Sequence, residues 1–291
     1  MSFELIEAED ANYPRALMCR ALGLSRSGHH AFRTRGPSQR ALENQRLDVL
    51  VAAIFAELQG RYGAPRIEQE LRRRGVCTSR KRVAESLRRQ GLAARRRRRW
   101  KQTTDSKHAE PIAPNLLQRD FSASAPDRVW VAETTSLPVL VGFIYLVVVI
   151  DLFSRKIVGW TVGDRLDAEL STEALQRAFA RRRPAPGLIF HSDRGVEFAA
   201  QRFRRSLARA GGIQSMSRKG DCWDNAVAES FFSTLEFEMA PGAAWRTAVD
   251  AEPELHQFIE TYYNAKRLHS SNDYRSPNQA ESDWRRQPLA A

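Results

Sequence analysis

The order of strand-like and helix-like segments between residues 127 and 240 constrains the fold of this chain more than any other feature. Short runs rich in Val, Ile and aromatic residues predict strands, and apolar residues three and four apart predict helices. We predict strands over residues 129–133, 143–151, 156–162, 188–191 and 213–216, and helices over residues 167–183, 198–210 and 226–239. Three strands joined by short turns, followed by alternating helices and strands, indicate an α/β domain with a mixed five-stranded sheet.

Two acidic residues stand where this order places a strand end and a helix. Asp193 closes an apolar run that is predicted to be a buried strand, and Glu229 lies on the last predicted helix, with 35 residues between them. Two carboxylates brought together in this way can hold divalent metal ions against a phosphodiester. The alternative is that both are ordinary surface acids, which is the usual place for Asp and Glu.

Positive charge is concentrated in one short part of the chain. The net charge is +12, and residues 66–101 hold 15 Lys and Arg but only 3 Asp and Glu. The rest of the chain holds 31 residues of each sign and is neutral. Such localisation is typical of a surface that contacts a polyanion such as nucleic acid. A solvated basic helix followed by a mobile arm would give the same composition.

Residues 43–91 predict a small helical DNA-binding domain. Their apolar periodicity and turn residues indicate three helices, of which the third is capped by Ser79. The first turn of this helix carries Arg80, Lys81 and Arg82, which suits the recognition helix of a helix-turn-helix. The alternative is an ordinary three-helix bundle with a polar face.

Two further segments flank this region. Residues 14–35 predict two short helices, which would form either a small helix-turn-helix or a docking hairpin. On the other side lies a run of five arginines, Arg95, Arg96, Arg97, Arg98 and Arg99. The run has no apolar stripe, so we expect it to stay mobile until it meets phosphate.

The composition predicts five segments and no membrane anchor. They are a helical hairpin at 1–42, a helix-turn-helix domain with a basic arm at 43–100, a linker at 101–126, the α/β core at 127–240 and a helical tail at 241–291. No apolar run approaches the ~20 residues of a membrane span, and no signal sequence is evident. Cys19, Cys77 and Cys222 are far apart in the sequence, which fits a reduced cytoplasm better than a zinc site.

Several other polar residues are expected to have structural roles. We expect His191 to be a hydrogen-bonded structural histidine, Asp151 to cap a turn, and Tyr262, Tyr263, Arg267 and His269 to lie in a helix-rich tail that packs on the core.

Eight stretches, spread over nearly the whole chain, resemble the integrase-core (DDE) transposases of bacterial insertion sequences. They are RYGAPRIE at 61–68, SRKRV at 79–83, WVA at 130–132, VIDLFSRKIVGW at 149–160, HSDRG at 191–195, SRKGDCWDNA at 217–226, ESFF at 229–232 and YRSP at 274–277. Together these motifs are specific, whereas each alone would be weak. The chain is most similar to the second-frame (OrfB) protein of insertion-sequence family three.

The resemblance implies a ribonuclease-H-like integrase catalytic core, with one acid on the first strand, one after the fourth and one on a late helix. Glu133, Asp193 and Glu229 would then be the catalytic residues and the ligands of two Mg²⁺ or Mn²⁺ ions. The implied activity is that of a DNA transposase, which cuts and joins DNA at the ends of the element. Three polar residues flank this site and are predicted to contact DNA: Arg218, Lys219 and Asn225.

The resemblance also implies the partners. These are double-stranded DNA at the element ends and at the target, further copies of the chain assembled on that DNA, and the OrfA protein of the upstream frame. The implied setting is the bacterial cytoplasm at the nucleoid, without a membrane.

Two positions depart from the family pattern. The family has an aspartate where this chain has Glu133, and a basic residue where it has Glu236. The extra methylene of Glu133 moves its carboxylate by about 1.5 Å, whereas catalytic groups must be placed within about 0.5 Å. An anion at Glu236 would repel DNA phosphate. These two residues indicate a decayed or weakly active copy, and the alternative is a working enzyme in which the Glu133 rotamer adjusts.

Two other functions compete with transposition. A catalytically inactive DNA-binding relative could regulate related elements, and a ribonuclease-H-type nuclease would act on RNA–DNA hybrids. The helix-turn-helix argues against the nuclease, since such a module reads the grooves of duplex DNA.

Overall fold

The chain forms two compact units, residues 1–94 and 95–291. Their structure is a computed structural model that describes residues 2–94, 110–218, 226–239 and 245–286. Within those ranges, every helix is too short or too polar to span a bilayer. Seven of the predicted DNA contacts lie outside the described residues: the arginine run at 95–99, Lys219 and Asn225.

The first unit is helical throughout the part that the structure describes. Its helices are α1 (Ser2–Ala8), α2 (Arg15–Ala21), α3 (Arg26–Thr34), α4 (Gln39–Glu57), α5 (Ala64–Arg73) and α6 (Arg80–Arg89). Helices α2 and α3 form the predicted pair, and the Ser25 hydroxyl caps α3 by accepting a hydrogen bond from the Gly28 amide at 2.8 Å. The sequence patterns did not predict α1.

Helices α4, α5 and α6 pack around one apolar core. Their buried side chains recur at helical spacing: Leu47, Val51 and Ile54 from α4, Ile67 and Leu71 from α5, and Val83 and Leu87 from α6. Ser79 begins α6 by accepting a hydrogen bond from the Arg82 amide at 3.3 Å. The turn before it contains Gly75 at φ 79°, a conformation that favours glycine. The three predicted helices of this region are therefore confirmed.

The second unit is built on a mixed five-stranded sheet, as predicted. Its strands are β1 (Val129–Pro138), β2 (Phe143–Asp151), β3 (Ile157–Gly163), β4 (Ile189–Ser192) and β5 (Ile213–Met216), in the spatial order β3-β2-β1-β4-β5. The first three strands pair antiparallel, and β4 pairs parallel to both β1 and β5. Between and after them come α7 (Ala168–Arg182), α8 (Val196–Ala199), α9 (Gln201–Arg209) and α10 (Ala226–Glu238).

One face of the sheet is covered by α7, α8 and α9. Trp130 and Ala132 of β1 belong to the apolar cluster on this face, together with Phe190 of β4. Because side chains alternate along a strand, Val131 and Glu133 point to the opposite face. Helix α7 approaches β3 closely at Gly159, where an added Cβ would lie 2.5 Å from the Ala174 carbonyl oxygen.

The predicted single helix over residues 198–210 is wrong in one respect, because the chain forms two helices. Ala200 is extended, with ψ 142°, and separates α8 from α9. In one continuous helix, Phe198 and Phe203 would lie about 140° apart. The break lets both rings enter the same core, where their centroids are 5.4 Å apart.

The remaining described segments pack on the second unit. Residues 110–126, part of the predicted linker, have no regular secondary structure, and the Leu116 amide donates to Ser215 of β5 at 2.9 Å. After α10 come α11 (Ala248–His256), a π-helix (Gln257–Asn264), a 3₁₀ turn (Ser270–Asn272) and α12 (Pro277–Arg286). The predicted packing of the tail on the core is confirmed, since Tyr262, Tyr263, Arg267 and His269 are all buried.

Candidate active site

Two of the predicted acids are neighbours in the sheet. β1 and β4 run parallel, with Val131 opposite His191 and Ala132 opposite Ser192. Continuing this register by one residue places Glu133 beside Asp193. Adjacent strands lie about 4.8 Å apart, and residues at the same level point to the same face. The pairing of the two strands thus brings together two carboxylates that are 60 positions apart in the sequence.

The third predicted acid comes from a helix that packs on the same strand. Glu229 lies in the first turn of α10, which contacts β1. Ala228, Phe231 and Leu235 of α10 are buried, and this spacing gives the helix its apolar side. Helix α10 therefore presents Glu229 near the strand that carries Glu133.

The carboxylate of Glu133 lies within the electrostatic influence of the other two acids. Its side chain is buried, and its Oε2 atom has no hydrogen-bond partner among the described residues. Burial, with the charges of Asp193 and Glu229, raises the pKa of Glu133 well above its ordinary value. Burial also raises the pKa of Glu229. This arrangement is unfavourable for ionised carboxylates without a cation between them.

The donor set suits a hard divalent cation. Carboxylate oxygens are the preferred protein ligands of Mg²⁺ and Mn²⁺, and the Oε2 atom of Glu133 is a buried acceptor without a donor. Among the described residues, no three His, Cys, Asp or Glu side chains form a ready-made ligand cluster.

The turn that follows β4 fixes Asp193. Its Oδ1 atom accepts a hydrogen bond from the Gly195 amide at 3.0 Å, and the Arg194 Nε atom donates to the Ser217 carbonyl at 2.7 Å. A Cβ at Gly195 would lie 2.5 Å from the Glu197 carboxylate, so a larger residue here would displace the end of that side chain. The Gly195 amide thus holds one oxygen of Asp193.

Three family models match this chain. The HTH-like domain matches residues 42–100, and two integrase core domain models match residues 123–222 and 211–277. The transposase for insertion sequence element IS904 of Lactococcus lactis is 40% identical over 85% of this chain and 98% of that protein. Transposase InsF for insertion sequence IS3A of Escherichia coli is 39% identical over 97% of this chain and 99% of that protein. The chain belongs to the insertion-sequence transposases.

The family assignment explains the organisation of this transposase. Its helical unit contains the HTH-like domain, its second unit contains the integrase core, and its function is DNA transposition. Among solved structures, a chain of the simian T-cell lymphotropic virus intasome in complex with PP2A regulatory subunit B56 gamma is 12% identical, with a TM-score of 0.47 over 83% of this chain and 76% of that one. The HTLV-2 integrase catalytic core domain in complex with magnesium is 12% identical, with a TM-score of 0.42 over 55% and 99%. These two likenesses carry no functional argument.

Two other predicted residues of the transposase core have structural partners. The Nδ1 atom of His191 is 2.8 Å from the Ser215 hydroxyl, and the histidine is fully buried. Asp151 accepts hydrogen bonds from the amides of Asp127 at 2.7 Å and Ser154 at 2.9 Å. His191 is therefore a structural histidine and Asp151 caps a turn, as predicted.

Two further predicted residues of the core, Arg218 and Glu236, are described by the structure. Arg218 is exposed and lies two residues beyond β5. Glu236 is half-buried on α10. Glu236 is seven positions after Glu229, so the two lie on one face of the helix, about 10 Å apart along the axis. The anion predicted to oppose DNA thus shares the face of the third acid.

One buried acid near the site escaped prediction. Glu197 is buried, and its Oε1 atom accepts a hydrogen bond from the Thr134 hydroxyl at 3.0 Å. Thr134 follows Glu133 in β1, whereas Glu197 follows the turn of Asp193. Their hydrogen bond therefore ties together the two segments that carry the acids. No local sequence signal marks this pair, because its partners are 63 residues apart.

The predicted recognition helix divides its basic residues into two groups. Arg80 and Lys81 are exposed, whereas Arg82 donates to Asn44 of α4 at 3.0 Å. Arg88, two turns further along α6, is exposed as well and was not predicted. Helical spacing places Lys81 and Arg88 on the side of α6 away from the buried apolar stripe, whereas Arg80 is exposed at the first position of the helix.

Proposed function

We propose that this transposase is a DDE-type polynucleotidyl transferase in which Glu133, Asp193 and Glu229 are the three catalytic acids. The observation that carries the proposal is the pairing of β1 with β4, whose register sets Glu133 level with Asp193. Burial of Glu133, with the charges of Asp193 and Glu229, raises the pKa of Glu133 in agreement with this placement. A buried carboxylate whose pKa is raised by burial and by neighbouring acids is typical of catalytic and metal-binding sites. The activity would be cutting and joining of DNA at the ends of an insertion sequence.

The three carboxylates would hold two divalent ions, Mg²⁺ or Mn²⁺. When bound, such ions lower the pKa of the attacking water or hydroxyl group and stabilise the leaving oxygen of the phosphodiester. Asp193, held by the Gly195 amide, offers a fixed oxygen. Glu133 offers an oxygen that is shielded from solvent, and Glu229 on α10 would be the third carboxylate ligand. Burial of Glu133 also excludes water from that side of the site.

The helical unit would bind double-stranded DNA at the element ends. The exposed basic residues of α6 suit phosphate contacts and major-groove readout. The arginine run of residues 95–99, with Arg218, Lys219 and Asn225, would add contacts to the DNA backbone. As the family resemblance implies, several copies would act together on DNA, and an upstream-frame (OrfA) partner would assist them. The setting would be the bacterial nucleoid.

The two departures from the family pattern would lower the rate of this copy. Glu133 places its carboxylate about 1.5 Å further from the backbone than an aspartate would, and Mg²⁺ requires near-octahedral geometry. Glu236 sets a negative charge on the face of α10 that carries Glu229, where DNA phosphate would have to approach. Both effects oppose catalysis without opposing folding.

Metal-dependent strand cleavage tests the proposal. Labelled element-end DNA is incubated with the chain and Mn²⁺ or Mg²⁺, and nicked product is measured for the chain, for Asp193→Asn and for Glu133→Asp/Glu236→Lys. We expect cleavage that requires metal, is abolished by Asp193→Asn and is faster in the double variant. Cleavage that persists in Asp193→Asn would refute the assignment of the acids. Equal rates for the chain and the double variant would refute the impairment.

A further inference from the structure

A buried cluster of polar and aromatic side chains joins the back of α10 to the segment that follows the π-helix. At its centre, Arg267 donates to Glu238 of α10 through two hydrogen bonds of 2.9 Å, and both side chains are buried. We propose that Arg267 is a positioning residue, which sets the orientation of α10 and so the placement of Glu229. This inference rests on the proposed role of Glu229 as a catalytic acid.

The contacts of Arg267 and its neighbours cover one side of α10. Arg267 also donates to the Thr234 hydroxyl at 3.1 Å, and the Tyr262 hydroxyl donates to the Glu238 carboxylate at 2.6 Å. The rings of Phe231 and Tyr263 meet edge to face, with centroids 4.9 Å apart.

This side of α10 lies opposite Glu229. At about 100° per residue, Phe231, Thr234 and Glu238 lie about 200°, 140° and 180° from Glu229 around the helix axis. The contacts of Arg267 and its neighbours therefore hold α10 on the side away from the acids. Because the helix is rigid, contacts that fix the orientation of this side also fix the direction in which Glu229 points.

The segment that carries Arg267 is itself anchored to the sheet. The Asn264 side chain accepts a hydrogen bond from the Ile157 amide at 2.9 Å and donates to the Ile157 carbonyl at 3.0 Å, in the manner of a neighbouring strand. Asn272 donates to the Ser154 carbonyl at 2.6 Å. Arg267 lies between these two anchors and links α10 to the β2–β3 part of the sheet.

The charge on Glu238 keeps Arg267 ionised in this buried site. Burial alone would lower the pKa of the guanidinium, but the carboxylate of Glu238 outweighs it and raises the pKa. A planar guanidinium bound through two parallel hydrogen bonds fixes orientation as well as distance. A lysine would supply the charge without that orientation.

A second buried ion pair provides a matched control. Arg182 donates to Glu281 at 2.7 Å and to Asp127 through two hydrogen bonds of 2.8 Å, and the side chains of Arg182 and Glu281 are 6% and 3% exposed. The corresponding values for Arg267 and Glu238 are 7% and 2%. The control pair joins α7 to α12 and does not involve α10. Loss of the control pair also removes the hydrogen bonds of Arg182 to Asp127 and of Ser154 to Glu281, so its effect on stability should be at least as large. Only the Arg267–Glu238 pair contacts α10, which carries Glu229.

The experiment compares double variants in which both members of each pair are replaced by neutral residues, so that neither member is left as a lone charge. They are Arg267→Met/Glu238→Gln and the control Arg182→Met/Glu281→Gln, with Arg267→Lys as a milder variant that keeps the charge. For each we measure thermal unfolding, Mn²⁺ affinity by titration, hydrogen exchange of residues 226–239, and single-turnover cleavage of element-end DNA.

A displacement of about 1 Å at a catalytic group costs about 100-fold in rate. We therefore expect Arg267→Met/Glu238→Gln to lose about 100-fold in cleavage and, as for residues that orient metal ligands, at least about 10-fold in Mn²⁺ affinity. Hydrogen exchange of α10 should be faster in this variant. The control variant should melt at a similarly lowered temperature yet cleave within about threefold of the parent, since distant sites couple little. If the Met variant does not fold, Arg267→Lys should show the same losses in smaller measure.

Two results would overturn the proposal. One is cleavage and Mn²⁺ affinity within about threefold of the parent in Arg267→Met/Glu238→Gln, or in Arg267→Lys where only that variant folds. The other is an equal loss in the control variant, which would show a general effect of lost stability. If the parent itself cleaves no DNA, the proposed function fails, and Mn²⁺ affinity with hydrogen exchange of α10 still decides whether Arg267 positions Glu229.

Discussion

Replacing Glu133 by glutamine should stabilise the metal-free protein. The Glu133 side chain is 5% exposed, its Oε2 atom has no partner among the described residues, and two other carboxylates act on it. A buried polar group without a partner costs about 1–3 kcal/mol, and more when it is charged. Glutamine has nearly the same shape and also leaves a polar group without a partner, but it carries no charge. Glu133→Gln should therefore recover the added cost of the charge, about 1–3 kcal/mol, in the absence of metal and at a pH above the raised pKa of Glu133.

Thermal unfolding with and without metal measures this effect. One kcal/mol shifts the melting temperature of a unit of this size by about 2–4 °C, so Glu133→Gln should melt about 2–12 °C above the parent in EDTA. Mn²⁺ at 100 times its dissociation constant should stabilise the parent by about 2.7 kcal/mol. Glu133→Gln lacks one ligand charge and should gain less stability from Mn²⁺. Metal should therefore narrow or reverse the difference in melting temperature between this variant and the parent.

Glu197→Gln is the matched control. Glu197 is as buried as Glu133, but its carboxylate already accepts a hydrogen bond from Thr134 at 3.0 Å. The amide oxygen of glutamine can accept the same bond, so this variant should not melt above the parent in EDTA and should respond to Mn²⁺ as the parent does. A melting temperature of Glu133→Gln at or below that of the parent in EDTA would contradict the unfavourable burial of the Glu133 charge. Equal stabilisation of Glu133→Gln and the parent by Mn²⁺ would contradict the role of Glu133 as a metal ligand.

Three further outcomes are expected. Gly159→Ala should lower the free energy of unfolding in urea by about 1–3 kcal/mol, because the new Cβ would lie 2.5 Å from the Ala174 carbonyl oxygen. Burial would raise the pKa of Glu281, but its basic and hydroxyl partners lower this pKa overall. The stability that ionised Glu281 contributes is therefore present above about pH 4.3 and is lost as the pH falls through its lower pKa in the folded state. Glu281→Gln should reduce the loss of stability at acid pH, as measured by urea unfolding across pH. Arg88→Ala should reduce the salt slope of DNA binding by about one, and Arg82→Ala should reduce it less, as measured by fluorescence anisotropy.

Each of these outcomes can fail. A urea midpoint for Gly159→Ala equal to that of the parent would show that α7 can shift without cost, with Gly36→Ala as the control, since a Cβ there meets nothing within 4 Å. An unchanged loss of stability at acid pH in Glu281→Gln would contradict the lowered pKa. Equal salt slopes for the Arg82 and Arg88 variants would show that the hydrogen bond of Arg82 to Asn44 does not limit its contact with DNA.

Local patterns predicted most elements of the fold because burial and periodicity agree in them. The continuous apolar run of β2 and the short β5 match the predicted bounds, and Asp167 begins α7 by accepting a hydrogen bond from Leu170 at 2.9 Å. β1 extends to Pro138, beyond its predicted end, because its polar residues pair with β2 although they interrupt the apolar pattern. The break between α8 and α9 depends on the contact of two phenylalanine rings, which no local pattern encodes.

The acidic residues of the candidate site could be predicted from the sequence, but the contacts that hold them in place could not. Asp193 and Glu229 follow from their positions after a strand and on a helix, and Glu133 follows from the family resemblance. The register that sets Glu133 beside Asp193 requires the strand pairing itself. The links of Glu197 to Thr134 and of Arg267 to Glu238 join residues 63 and 29 positions apart, and either acid would be an ordinary polar residue in the sequence.

Location of bound Mn²⁺ by anomalous diffraction tests the central claim most directly. Crystals of the chain with element-end DNA would be grown with Mn²⁺, and the anomalous peaks compared with the carboxylate positions. Convergence of Glu133, Asp193 and Glu229 predicts peaks about 2.0–2.3 Å from their oxygens. Mn²⁺ bound elsewhere, with the Glu133 carboxylate turned away from Asp193, would contradict the account.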